Sequence, residues 1–160
     1  MNALTRFKFF LWYFGRFKVP LIGSAKPKLI NLTDEDIIVK IKLRRKTKNH
    51  LNSMYFGAIA IGADIAGGLH GFYHIHKAHV KASILFKSFE AKFLSRPESD
   101  VYFVCTEGLL VKQVIESSIK QNKRINQPLT IDAYTMYEDN DQKAKVAELK
   151  LELSIKVLTN

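Results

Sequence analysis

Asp64 is the only acid in a run of small and apolar residues from Met54 to Phe72, inside the stretch "KNHLNSMYFGAIAIGADIAGGLHGF". A carboxylate placed there has three possible fates: a catalytic group, a structural acid bonded across a subunit contact, or a solvated residue. Burial against apolar neighbours disfavours the charged form and raises proton affinity toward neutrality, which suits a general base. Gly57 lies seven residues earlier, about two helical turns away on the same face. Asn49 stands ahead of the segment, where its amide can orient water or a carbonyl, or close the loop that leads into a helix.

Four histidines follow: His70, His74, His76 and His79. A helix ending near Gly71 leaves them straddling a helix-to-strand connection, and no Asp, Glu or Cys completes a ligand set, so no metal is expected. The chain has no Gly-x-Ser-x-Gly elbow and no Walker-type phosphate loop, which removes serine-hydrolase and nucleotide-hydrolysis chemistry. Cys105 is the single cysteine. It reads as a small apolar strand residue, and a chain without disulfide or zinc spacing fits a reducing, cytoplasmic setting.

These residues need a frame. Asn52 or Ser53 offers a capping oxygen, and Met54 through about Phe72 reads as a long helix. Being almost uncharged, that helix must be covered on nearly all sides. Gly57, Gly62, Gly67 and Gly68 each cost up to about 1 kcal/mol there relative to alanine, so something must approach the backbone closely, either an enclosing sheet or a ligand at the helix start. Period-two patterning marks strands at Leu29–Leu32, at Ile37–Leu43, at Val80–Phe93, at Val101–Thr106, at Leu129–Tyr137 and at Lys145–Val157. Leu109–Lys120 carries its apolar residues at helical spacing and forms a second, shorter helix. Short turns between successive strands favour an antiparallel sheet curled around the Met54–Phe72 helix.

The chain has 160 residues, 47% of them hydrophobic and 25% charged, which suits one domain and argues against disorder. Its formal net charge of +10 draws anionic partners: nucleic acid, acidic lipid or a phosphorylated cofactor. The densest basic tract, Lys40 to Lys48, reads as the solvated face of a strand, and without a nucleic-acid-reading motif beside it no nucleic-acid partner is expected. The opening "MNALTRFKFFLWYFGRFK" is aromatic and basic, and its apolar core is too short to span a bilayer. Phe7, Phe10, Leu11, Phe14 and Phe17 fall at helical spacing, giving an amphipathic helix whose stripe docks on the rest of the fold. The other reading of that segment places it in a membrane interface, anchored by Trp12 and the basic residues.

With "NHLNSMYFGAIAIGADIAGG" as its central helix, this order of elements resembles the hot-dog fold. In particular it is similar to acyl-CoA thioesterases of the phenylacetyl-CoA type and their uncharacterised thioesterase-like relatives, from about Lys28 to Val157. In those thioesterases the motif Asn-x5-His-Gly-Gly-x6-Asp opens the helix; here Asn49, Gly57 and Asp64 match it, and Tyr55 and Phe56 replace the His-Gly half. The "NHLNSM" and "DVYFVCTE" stretches are similar to those of the uncharacterised relatives.

The resemblance implies an α+β hot-dog domain over residues 28–158 with a short extra helix, and the spacing ahead of it gives residues 1–20 as an N-terminal amphipathic helix packed on that domain. The resemblance also implies hydrolysis of an acyl thioester at a subunit interface, in a dimer or tetramer. The amide of Gly57 is then the oxyanion donor, Asp64 the general base or nucleophile acting on a thioester held by the neighbouring subunit, and Asn49 a third catalytic residue. Ser53, Met54, Tyr55 and Phe56 would touch the substrate. No cofactor is implied beyond the coenzyme A of the substrate itself, whose phosphates surface Lys and Arg would hold. The alternative is a non-catalytic acyl- or lipid-binding protein in which Tyr55 and Phe56 have displaced the chemistry and the aromatic N-terminus touches membrane.

Overall fold

The longest alternating run, Ala147 to Val157, buries Leu149, Leu151, Leu153, Ile155 and Val157 and leaves Lys150 outside, as a strand with one covered face must. In the computed structural model, which describes residues 2–158, this strand, β6 (Ala144–Leu158), lies near one side of a six-stranded sheet. The others are β1 (Lys28–Leu32), β2 (Ile37–Ile41), β3 (Lys81–Phe93), β4 (Val101–Cys105) and β5 (Ile125–Thr135). Their order is β1-β2-β4-β5-β6-β3, and every pairing is antiparallel. Ile37, Val39 and Ile41 are fully buried on β2, and β3 forms an outer edge, paired to β6 on one side.

The sheet encloses α3 (Phe56–Lys77), while α4 (Gly108–Gln121) follows β4. Ala58, Ile59, Ala63, Ala66 and Leu69 of α3 enter the core beside Phe103 of β4 and Leu153 and Ile155 of β6. Gly62 explains one of the odd glycines: a Cβ there would lie 2.2 Å from the Phe103 ring. A sheet side chain occupies the volume that any other residue would need.

The helix is displaced from its expected span by two residues at its start and extends five beyond its expected end. Asn49 Oδ1 accepts from the backbone N–H groups of Leu51 and Ser53 and from the Ser53 hydroxyl, so neither Asn52 nor Ser53 caps α3. The Met54 and Tyr55 amides donate to the carbonyls of Pro97 and Thr47, fixing this stretch as a loop, and the helix begins only after it. At the other end no proline intervenes, and burial of His74 and Ile75 carries the helix past Gly71 to Lys77.

Residues before β1 form α1 (Ala3–Tyr13), a π-helical turn (Phe14–Lys18) and α2 (Pro20–Ala25). Phe7 and Leu11 are buried, and Phe10 and Phe14 pack half-buried against the core through Phe72. Phe17 does not continue the docked stripe: the π turn advances the chain by fewer degrees per residue, and the ring faces outward. Among the described residues no helix is long and apolar enough to cross a membrane.

Candidate active site

Two cavities meet at Asp64. One, of about 640 Å³, is lined by Tyr55, Gly57 and Ala58 at the start of α3, by Phe86 and Phe89 of β3, and by Lys46. The other, of about 340 Å³, lies beneath the N-terminal helices, with Phe10, Leu11, Phe14 and Phe72 among its walls. Asp64 and Phe86 belong to both. Burial pushes the Asp64 carboxyl above its ordinary value, and among the described residues no opposing charge or hydrogen bond counters it. The Phe86–Phe89 wall has a local cause: pairing of β3 with β6 shifts register between these residues, a bulge that re-aims side chains.

The helix start carries free donors. The Tyr55 carbonyl accepts from the Ala58 and Ile59 amides, and Tyr55 caps α3 without a side-chain hydrogen bond. Among the described residues the Phe56 and Gly57 amides have no partner, and the helix dipole adds to their pull on negative charge. The Tyr55 ring folds back over Gly57, where a Cβ would fall 2.5 Å from Tyr55 Cε1. The glycine thus makes room first for its neighbour's ring, which stands at the mouth of the larger cavity.

Of the residues singled out in the sequence, Asp64, Gly57 and Tyr55 share one cavity. Asn49 does not line it; its carbonyl oxygen holds the 49–53 loop together. Ser53 and Met54 are buried beside that loop, and Phe56, its ring tilted against Tyr55 with centroids 4.6 Å apart, points out to solvent. Lys46, Phe86 and Phe89 are additions. Lys46 belongs to the basic tract read as a strand face, but β2 stops at Ile41. Thr47 Oγ1 then donates to the Lys42 carbonyl and turns the chain back toward α3. For Phe86 and Phe89 no sequence signal exists, because their placement depends on the strand register.

The histidines also differ from expectation. His70 and His74 lie inside α3 on one face, buried, with ring centroids 5.1 Å apart. Each uses Nε2–H to donate to a carbonyl of the β1–β2 turn, His70 to Thr33 and His74 to Asp34, both at 3.0 Å. His70 Nδ1 is buried without a partner. Burial holds the His70 imidazole neutral, its pKa down at about 4, and lowers His74 as well. Beside them Lys77 and Tyr73 hydrogen-bond the Asp34 carboxylate and hold it at about 2. This cluster ties the turn to the helix. Cys105 is buried, and the same cause pushes its thiol up to about 11, far from a reactive thiolate.

The fold has known counterparts. A crystal structure of a protein from Shewanella oneidensis, provisionally described as a thioesterase, superposes with a TM-score of 0.77 at 14% identity, covering 96% of this chain and 99% of that one. A protein of unknown function from Chlorobaculum tepidum gives a TM-score of 0.80 at 11% identity, over 99% and 100% of the two chains. Zebrafish thioesterase superfamily member 2 gives 0.66 at 9% identity, over 99% and 100%. No curated protein is significantly similar in sequence. A family model described as domain of unknown function DUF4442 matches residues 8–153. The chain therefore belongs to the DUF4442 family and has the hot-dog fold of thioesterase-like proteins.

Proposed function

We propose that the protein hydrolyses acyl thioesters, with acyl-CoA as the substrate class. The observation that carries this reading is the shared cavity: the half-buried Asp64 carboxylate and the free Gly57 N–H at the helix start border one mostly apolar space of about 640 Å³. That volume lies within the ordinary range for small-molecule sites.

The chemistry is balanced by these groups alone. The thioester carbonyl oxygen accepts from the Phe56 and Gly57 amides, which stabilise the charge it gains in the tetrahedral state. The Asp64 carboxylate takes a proton from water as the oxygen adds to the carbonyl carbon. Collapse breaks the C–S bond, and the proton on Asp64 passes to the departing thiolate. Tyr55 at the mouth occupies space where the likened enzymes have histidine, and its hydroxyl is a further donor. Lys46, exposed at the rim, suits the phosphates of coenzyme A.

In the same reading the working unit is a dimer. Among the described residues the outer edge of β3 has no neighbouring strand, and it exposes Leu85, Phe89 and Phe93. Unpaired apolar edges are covered in stable proteins, and a second copy laid along β3 would close the cavity walled by Phe86 and Phe89. The thioester would then lie under the second copy, in the cavity that Asp64 and Gly57 share.

The test is thiol release from a panel of acyl-CoAs of different chain length, followed with a thiol reagent, for wild type and Asp64→Asn. Turnover by wild type and a large loss in the variant are expected. No turnover on any acyl-CoA, or an undiminished rate in Asp64→Asn, ends the proposal.

A further inference from the structure

The segment ahead of β1 is one-sided in both charge and surface. Residues 2–33 contain six cations, Arg6, Lys8, Arg16, Lys18, Lys26 and Lys28, and no acid; the first acid is Asp34. The same segment exposes Trp12 at 58%, Phe17 at 58% and Leu21 at 68%, with Phe9 and Tyr13 beside them. These rings form one cluster: Phe9–Trp12 centroids are 5.6 Å apart, Trp12–Phe17 6.0 Å and Tyr13–Phe17 5.2 Å. Core packing does not account for them, since Phe7 and Leu11 on the opposite side already dock α1. A contiguous exposed aromatic surface marks a contact site, and aromatics ringed by Lys and Arg match the boundary between lipid headgroups and acyl chains.

Behind the rings lies a cleft of about 770 Å³ between α1, α2 and β1, lined by Lys8, Arg16, Lys26 and Lys28. Its cations suit a phosphodiester headgroup. Leu11 and Ile22 line both this cleft and the 340 Å³ cavity that reaches Asp64, so two side chains stand between them.

We propose that this face docks on an anionic phospholipid bilayer, with Phe9, Trp12, Phe17 and Leu21 inserted at headgroup depth and the surrounding cations on lipid phosphates. A second copy is the poorer occupant, because a symmetric contact would oppose the same six cations. Single-stranded nucleic acid would use the cations and rings but would leave Leu21 without a role. Docking does not depend on the thioesterase reading: binding to lipid is measured without turnover, and Asp64→Asn protein is expected to bind as wild type does. If both hold, the acyl cavity opens directly behind the membrane-facing surface.

Trp12 is the only tryptophan, so the protein reports on its own contact. With vesicles of phosphatidylcholine and phosphatidylglycerol, Trp12 emission should shift to shorter wavelength and be quenched by brominated lipid. With phosphatidylcholine alone the response should be weak, and salt should reduce it. In co-sedimentation, Lys8→Glu with Arg16→Glu should lower partitioning more than tenfold, since each cation near the surface contributes roughly fivefold. Phe9→Ser with Phe17→Ser should lower it by a similar factor; all four residues are exposed, so unchanged melting temperatures show that the fold is kept. Unshifted Trp12 emission on anionic vesicles, or variants that pellet as wild type does, overturns the proposal. So does an emission shift that follows protein concentration without lipid, which would assign the face to a second copy. A shift produced by single-stranded oligonucleotide but not by vesicles rejects it equally.

Discussion

Phe103 of β4 closes on Gly62 of α3 so tightly that a Cβ at position 62 would sit within 2.2–2.4 Å of three ring carbons. Two effects compete in Gly62→Ala. Alanine gains about 1 kcal/mol in helix propensity, while forcing a fully buried ring aside costs about 1–3 kcal/mol or more. A contact this short lies at the upper end of that range, so packing wins and a net loss of about 2 kcal/mol is expected. At this chain length that corresponds to a melting point lower by roughly 4–8 °C. Phe103→Leu in the Gly62→Ala background should restore part of it. An alanine variant as stable as wild type would mean that the sheet does not press on the helix here.

The pair His70 and His74 makes the β1–β2 turn sensitive to acid. His70 is neutral in the fold, with a pKa near 4 against an ordinary 6.5. The unfolded chain therefore takes up its proton first, and the stability held above pH 6.5 is lost as pH falls through the window from 6.5 to 4. The shift corresponds to at most about 3 kcal/mol for His70, with His74 acting in the same direction. The neighbouring Asp34, held at about 2, adds its own loss only below its ordinary value of 3.8. Urea denaturation at pH 7 and pH 5 should show this decline, and His70→Gln, which keeps a donor for the Thr33 carbonyl but cannot be charged, should flatten it. An equal decline in that variant would clear His70 of the effect.

Much of this frame was legible from period alone. β2 and β6 alternate without interruption because one face of each is buried, and α4 carries its apolar positions at helical spacing. Capping was less readable: Asn52 and Ser53 have the right chemistry for a helix start, yet the Ser53 hydroxyl donates to Asn49 Oδ1 in the preceding loop and Tyr55 takes the N-cap position. The helical stripe through Phe17 could not reveal the π turn that rotates this ring outward. The site was half legible. Asp64 and Gly57 stand out by type and spacing along one helix, whereas Phe86, Phe89 and Lys46 reach the cavity through strand register and a turn between distant segments.

The open edge of β3 leads to an expectation about assembly. Leu85 and Phe93 are both exposed on that strand; Phe93 lines neither cavity at Asp64, and Leu85 lines only the smaller one beneath the N-terminal helices. Light scattering behind size exclusion should give a dimer for wild type and a monomer for Leu85→Lys with Phe93→Lys, because lysine on an edge strand opposes pairing. Melting of the variant should stay a single cooperative transition. A wild-type monomer at all concentrations would remove the subunit-interface part of the proposed mechanism.

Asp64 should show opposite effects on rate and on stability. Its carboxyl is raised by burial alone, so the fold favours the protonated form. The stabilisation this gives is present below the ordinary 3.8 and is lost as pH rises through the raised value, above which the carboxylate is ionised without a partner. Asp64→Asn removes that cost, and its melting temperature at pH 7 should exceed that of wild type. A general base in the same position typically contributes about 10²–10⁴ in rate, so thiol release from acyl-CoA should fall by that order. In wild type, activity should rise with pH as Asp64 ionises, with a midpoint above the ordinary carboxylate range. A purely structural acid would behave otherwise: its replacement would lower the melting temperature and leave the acid limb of the pH profile in place.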